Sequence, residues 1–306
     1  MKVFYESEYD FFLSVVCIVR NEEKNIYEWI EYHRLKGIDH FYIYDNGNSK
    51  ELEILLRPYV QQKIVEIINF PGEGVQLAVY RHAIDHFAMN SKYMAFIDAD
   101  EFIYTRGKDL LTYISDITRN ARKTLQYMNY LPGGIGINWK MFGTAGYLDR
   151  SYDLVTVTHN RCTRDEYIDN GHIKTIANPR CVLKPFAHHM VYFSIFQTVS
   201  PMGSICVGPF FPDGTRETGI RLYHYVYKSE EEIREKYLRG DVFAKVSDAE
   251  ILRRIDYSVW ENREHCNENY DDNMLQYESV LRSGVCSIKN GGVKKYSVND
   301  FCKVKE

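Results

Sequence analysis

No Gly-x-Gly-x-x-Gly fingerprint and no Gly-Lys-Ser/Thr loop follows the first apolar strand of this chain, so a dinucleotide fold or a P-loop is a poor reading. No Cys-x-x-Cys pair occurs among its seven cysteines, and their irregular spacing and odd count suit reduced thiols, not a disulfide framework. No stretch approaches the roughly 20 apolar residues of a membrane span. The run Phe11 to Val19 meets Arg20-Asn21-Glu22-Glu23 at once and lacks a basic leader and a small-residue cleavage site, so it reads as a strand and not a signal peptide. Net charge is −4, which argues against nucleic-acid binding by bulk electrostatics. These absences point to a cytoplasmic α/β protein. Its 306 residues, 45% of them hydrophobic, suffice for one large domain with an appendage.

What is present is an ordered alternation. Phe12 to Val19 reads as a buried strand, Asn21 as a helix cap with Glu22 and Glu23 in the first turn, and Ile26, Trp29, Ile30 and His33 as one helical face stopped near Gly37. His40 to Asp45 is a second strand, Lys50 to Leu56 a helix ended by Pro58, and Lys63 to Asn69 a third strand. Leu77, Tyr80, Ile84 and Phe87 recur at helical spacing before a fourth strand, Tyr93 to Asp98. Strands alternating with helices indicate βαβ units and a mostly parallel sheet, whose ligands bind beyond the carboxyl ends of the strands. Three polar clusters stand at those ends: Arg20-Asn21-Glu22, Asp45-Asn46 and Asp98-Ala99-Asp100.

Asp98 and Asp100 carry the most chemistry. On extended backbone they share a side, and two like charges that close favour a cation between them. Oxygen ligands suit Mg2+ or Mn2+, which also bind diphosphate oxygens. An Asp-x-Asp triplet arises roughly once by chance in a chain of this length, so its place at the end of an apolar strand is the stronger signal. The bland alternative is a solvated acidic loop.

Further on, the pattern predicts a helix over Lys108 to Thr118, a strand over Leu125 to Tyr130 followed by Leu131-Pro132-Gly133-Gly134, and an aromatic strand from Ile137 into a glycine turn ending at Gly146. That turn either admits a ligand to the backbone or is an ordinary hairpin. Ile195 to Phe211 has no assignable pattern. Arg221 to Ser229 reads as a strand entering a helix through a Ser229/Glu232 capping box, with Gly240 after it; Asp248 opens another helix through Ile251, Ile255, Val259 and Trp260. Lys289, Lys294, Lys295, Lys303 and Lys305 make a basic tail, suited to a peripheral contact with an anionic membrane or simply solvated. The 25 tyrosines serve either sugar stacking or ordinary packing.

Val19-Arg20-Asn21-Glu22, Glu28-Trp29-Ile30-Glu31-Tyr32-His33, Tyr44-Asp45-Asn46, Phe96 to Phe102, Asn138 to Gly143 with Gly146, His172 to Ile176, and His224-Tyr225 with Lys228-Ser229 and Glu231-Glu232 together resemble family 92 glycosyltransferases and related family 2-like enzymes. The resemblance runs from about Leu13 to Gly240 in the family's order. It implies a GT-A type Rossmann-like fold and inverting, metal-assisted transfer of a sugar, galactose from UDP-galactose being the donor by analogy. The implied acceptor is a glycan or lipid-linked glycan of a surface polysaccharide or lipopolysaccharide, made in the cytoplasm or at the inner membrane face.

On this resemblance residues 1–240 form the GT-A domain, with 1–104 binding nucleotide and 105–240 acceptor and metal, and 241–306 are a helical extension. Asp98 and Asp100 match the metal motif, with His224, or His189, as a further ligand. Arg20, Asn21, Glu22, Asp45 and Asn46 match the nucleoside-binding strand ends, and Lys174 and Lys228 are candidates for the diphosphate. The base stays open between Asp149 and Glu166, because Asn160-Arg161-Cys162 stands where relatives carry an acid before Arg-Phe. Rival readings are a sugar nucleotidyltransferase and a non-catalytic glycan-binding protein using Trp139 and the tyrosines.

Overall fold

The structure is a computed structural model that describes residues 8–107, 109–215, 219–238, 247–297 and 300. Gly240, Lys303 and Lys305 lie outside the described residues. Strand β1 (Phe11–Val19) is followed by α1 (Ile26–Leu35), β2 (His40–Asp45), α2 (Lys50–Gln61), β3 (Val65–Asn69), α3 (Gln76–Phe87) and β4 (Ser91–Phe96). Next come β5 (Glu101–Thr105), α4 (Leu110–Leu125), the long β6 (Leu131–Met141), the single-turn α5 (Val155–Thr158), β7 (Arg161–Cys162) and β8 (Ile173–Ala177). The hairpin β9 (Val182–Pro185) and β10 (Met190–Tyr192) precedes β11 (Phe196–Val199), β12 (Ile205–Cys206) and β13 (Ile220–His224). Helices α6 (Glu230–Leu238) and α7 (Asp248–Glu264), strand β14 (Asn269–Tyr270) and α8 (Glu278–Lys289) follow.

The main sheet runs β12-β11-β6-β8-β4-β1-β2-β3, with β13 joining β6 to β5. β3, β2, β1 and β4 are mutually parallel, and β8 enters antiparallel between β4 and β6. The α/β expectation is met, and among the described residues five of the main sheet's nine strand pairings are parallel. Alternation along β1 explains the layers: Val15, Cys17 and Val19 face Trp29 and Ile30 of α1, while Val16 faces Val79 and Tyr80 of α3. Each side of the sheet thus has its own core.

Several local expectations are corrected. Asn21 is not a helix cap: its φ is 57°, and α1 starts at Ile26 with Glu28, not Glu22 or Glu23, in its first turn. Pro58 does not end α2, which runs to Gln61. Proline removes one hydrogen bond to the carbonyl four residues back, and Ile54 there is 60% exposed, so water can serve that oxygen. The predicted strand Leu125 to Tyr130 is helical where it begins: Leu125 closes α4, whose buried Ile114, Ile117, Ala121 and Leu125 keep helical spacing, and Gln126–Met128 is a 3-10 turn. Leu77 is exposed, and the buried face of α3 is Gln76, Val79, Tyr80, Ala83 and Ile84. Asp248 does open α7, with Ser247 as its cap, but Trp260 is exposed.

Leu131-Pro132-Gly133-Gly134 is the start of β6. A Cβ on Gly134 would stand 2.2 Å from the Tyr192 hydroxyl, so glycine admits that ring against the strand. The unpatterned stretch after Ile195 holds β11 and β12. The Ser229/Glu232 capping box is present, with the Glu232 N–H donating to Ser229 Oγ at 3.1 Å.

Candidate active site

At the carboxyl end of β4 the chain turns, and the Glu101 N–H donates to the Asp98 carbonyl at 3.1 Å. The turn breaks the extended geometry that would have placed Asp98 and Asp100 on one side. They face different partners. Lys174 Nζ of β8 donates to Asp98 Oδ2 at 2.8 Å and lies 3.9 Å from Glu101 Oε2. Asp100 holds Lys236 Nζ of α6 at 3.1 Å on Oδ2, and His224 Nε2 of β13 stands 3.6 Å from Oδ1. The Asp98 side chain is 37% exposed and that of Asp100 12%, so Asp98 is the more accessible acid.

Glu101 lies beneath them, fully buried. Its Oε1 accepts from Trp139 Nε1 at 2.7 Å and its Oε2 from the Asp98 N–H at 2.8 Å. Burial pushes this carboxyl above the ordinary range, Lys174 pulls it back, and Asp98 pushes it up again. Burial also opposes the charge on Asp100, but Lys236 and then His224 outweigh it and hold that carboxyl well below its ordinary value. Burial disfavours charged Lys174 as well, yet Asp98 and Glu101 keep its pKa well above the usual value. The thiol of Cys17, mid-strand in β1, is raised first by burial and then by the charges of Asp98, Asp100, Glu101 and Glu22.

The other strand-end clusters are nearby. Lys228 Nζ reaches Glu22 Oε2 at 2.9 Å, tying the segment before α6 to the end of β1. The backbone of Gly47 lies against Arg20 and Asn21, so the ends of β1 and β2 meet. Asp45, however, spends both oxygens on its own turn, accepting from the Gly47 N–H at 2.9 Å and the Ser49 N–H at 2.7 Å. Asn46 Nδ2 donates to the carbonyls of Phe70 and Gly72 at 2.9 Å each, and its buried Oδ1 has no hydrogen-bond partner among the described residues.

Among the described residues no group of three His, Cys, Asp or Glu side chains is placed to hold a metal ion, so Asp98, Asp100 and His224 are not gathered into one cage. Two of them do suit a shared ion. Atoms bound to one Mg2+ at about 2.1 Å lie within about 4.2 Å of each other, and Mg2+ often takes only one or two protein carboxylates beside phosphates and water. Asp100 Oδ1 and His224 Nε2 meet that limit at 3.6 Å. His189, the competing ligand, instead stacks on Phe186 at 4.7 Å.

Asp149 and Glu166 are both exposed, and neither joins an ion pair or side-chain hydrogen bond among the described residues. The glycine turn after β6 serves packing, since a Cβ on Gly143 would stand 2.5 Å from the Cys266 carbonyl. Four residues of the site were not singled out from sequence. Glu101 adjoins the acidic pair and was readable as a third acid. Lys236 carries no local signal. His172 and His188 flank Trp139 at 5.0 and 5.2 Å; the first lies in a motif match, and the second has no such signal.

Comparison with known proteins follows the same lines. The family described as Glycosyltransferase family 92 matches residues 12–197. A family 92 protein of Ricinus communis, RCOM_0530710, is 30% identical over 103 residues, 32% of this chain and 18% of its own. The beta-1,4-galactosyltransferase galt-1 of Caenorhabditis elegans is 26% identical over 277 residues, 82% of this chain and 57% of its own. The chain thus spans under two thirds of the length of these relatives. The crystal structure of S. aureus TarS 1–349 in complex with UDP shares 12% identity at a TM-score of 0.37, covering 82% of this chain and 71% of that one. With the family matched over more than half of its length, from the first strand through the acidic turn to β11, this chain belongs to glycosyltransferase family 92.

Proposed function

We propose that the chain is an inverting, metal-dependent glycosyltransferase that moves a hexose from a UDP-sugar to a glycan acceptor. The observation that carries this reading is the acidic turn Asp98–Glu101, set at the carboxyl ends of parallel strands and faced by Lys174, His224 and Lys236 in a family 92 chain. A nucleotide diphosphate needs cations around its leaving oxygens and a carboxylate-anchored ion to bind them. In this reading Asp100 and His224 hold Mn2+ or Mg2+, with Asp98 as a further oxygen donor. When bound, that ion supplies Lewis-acid neutralisation of the departing diphosphate.

The chain's own residues do the rest. Lys174 and Lys228 offer buried ammonium groups to the diphosphate, each already balanced by an acid that can share the charge. Glu101, pinned by Trp139, fixes the Asp98 backbone. Arg20, Asn21 and Glu22 border the nucleoside, while Asp45 and Asn46 shape the turn beside it. Galactose is supported only by the name of the galt-1 relative. A surface-glycan acceptor at the inner membrane face belongs to the same proposal; no helix among the described residues is long and apolar enough to cross a membrane.

A panel of nucleotide sugars with Mn2+ tests it. UDP-galactose should release UDP, faster with acceptor glycans present, and EDTA should stop it. Release from no nucleotide sugar under any metal would sink the reading.

A further inference from the structure

We infer that His188 is the proton acceptor for the attacking hydroxyl, an assignment that rests on the transferase reading above and fills the place left by Asp149 and Glu166. His188 sits in the turn between β9 and β10, where the Phe186 N–H donates to the His189 carbonyl at 2.9 Å. Its position is held from two sides. Thr175 Oγ1 donates to the His188 carbonyl at 3.0 Å, and His188 Nδ1 donates to the Ile173 carbonyl at 3.1 Å. Both partners lie in β8 on either side of Lys174, the residue bound to Asp98. Trp139 packs edge-on at 5.2 Å, and the ring of His172 lies 5.6 Å away.

The bond to a backbone carbonyl assigns the proton to Nδ1 and leaves the lone pair on Nε2. Nε2 makes no hydrogen bond among the described residues, and the half-buried ring keeps it accessible. An imidazole with one nitrogen anchored and the other open is the arrangement of a general base. The charged and titratable groups facing it are Lys174, Asp98 and His172. Burial and then Lys174 lower the imidazole pKa, and Asp98 opposes them.

The step balances. The acceptor oxygen forms a bond to the anomeric carbon as that carbon's bond to the diphosphate oxygen breaks. The leaving oxygen keeps the bonding pair, and the hydroxyl proton passes to His188 Nε2.

The test compares wild type, His188→Gln and His188→Ala in transfer from UDP-sugar to a glycan acceptor. Expected are a kcat for transfer about 100-fold lower in both variants, UDP affinity by calorimetry within about threefold of wild type, and partial recovery of His188→Ala by added imidazole. A kcat within about threefold of wild type in His188→Gln overturns the assignment. So does a loss that tracks a fallen Tm and resists imidazole, which marks a packing residue. A wild type that uses no nucleotide sugar overturns the transferase reading and this assignment with it, whereas an active wild type with an active His188→Gln overturns this assignment alone.

Discussion

Two residues apart in sequence, Asp98 and Asp100 live in different fields. Asp98 reaches outward to a lysine from a strand, and Asp100 lies inward between a histidine and a helical lysine. Lys174 is the centre of this balance, a buried ammonium shared by Asp98 and Glu101. Lys174→Met removes the cation that favours ionised Glu101, and breaking such a buried pair costs about 3 kcal/mol or more at pH 7. The pH dependence has a definite sign. Glu101 already takes its proton at higher pH in the folded state than an ordinary carboxyl, so its contribution to stability falls as pH rises above the unfolded value. Without Lys174 that fall continues to higher pH. Urea unfolding at pH 7 and pH 5 should show the variant's deficit shrinking at the lower pH; a deficit equal at both would exclude Glu101 as its source. The acidic pair was legible because apolar residues lead into it and out of it. Lys236 was not, because a lysine in the charged helix Glu230–Leu238 gives no hint that it meets an acid 136 residues earlier.

Among the elements, α1 does more than pack. It buries Glu28, whose Oε2 accepts from the Val155 N–H at 2.7 Å and whose Oε1 accepts from the Thr156 N–H at 2.9 Å and the Thr156 hydroxyl at 2.6 Å. One side chain thereby supplies the amino end of α5, a helix too short to stand alone. Glu28→Ala strands these buried donors and should cost about 3 kcal/mol, read as a fall in the urea midpoint, while Glu28→Gln should cost less because its amide oxygen still accepts. Equal stability of Glu28→Ala and wild type would show that water replaces the carboxylate. The Glu28-Trp29-Ile30-Glu31-Tyr32-His33 string was visible as a motif, and this anchoring gives its acids a physical cause. Local pattern failed where long-range partners decide. Gly133 and Gly134 look like a loop until Tyr192 is packed on them, and Leu125 ends a helix only because α4 keeps its apolar face against β6.

At the scale of the whole molecule, the four parallel strands up to β4 were readable because each is joined to the next by its own helix. The second half was not, because β8 inserts between β4 and β6 and β13 returns beside β5, pairings that no local periodicity announces. Chain segments far apart close the site: β8 brings Lys174, β13 brings His224 and α6 brings Lys236 to the end of β4. The carboxyl-terminal part shares this frame, since Tyr277, Leu281 and Ile288 join the core of β1 and α1, and Tyr59 and Tyr296 both donate to the buried Glu31. The central claim is that this assembled rim grips a diphosphate through Asp100 and a divalent ion. It is tested most directly by titrating UDP into wild type and Asp100→Asn with Mn2+ present, alongside the Tm of each. The account predicts heat of binding in the wild type and a loss of affinity of about tenfold or more in the variant at a Tm changed by only a few degrees; equal affinity in the two proteins would contradict it.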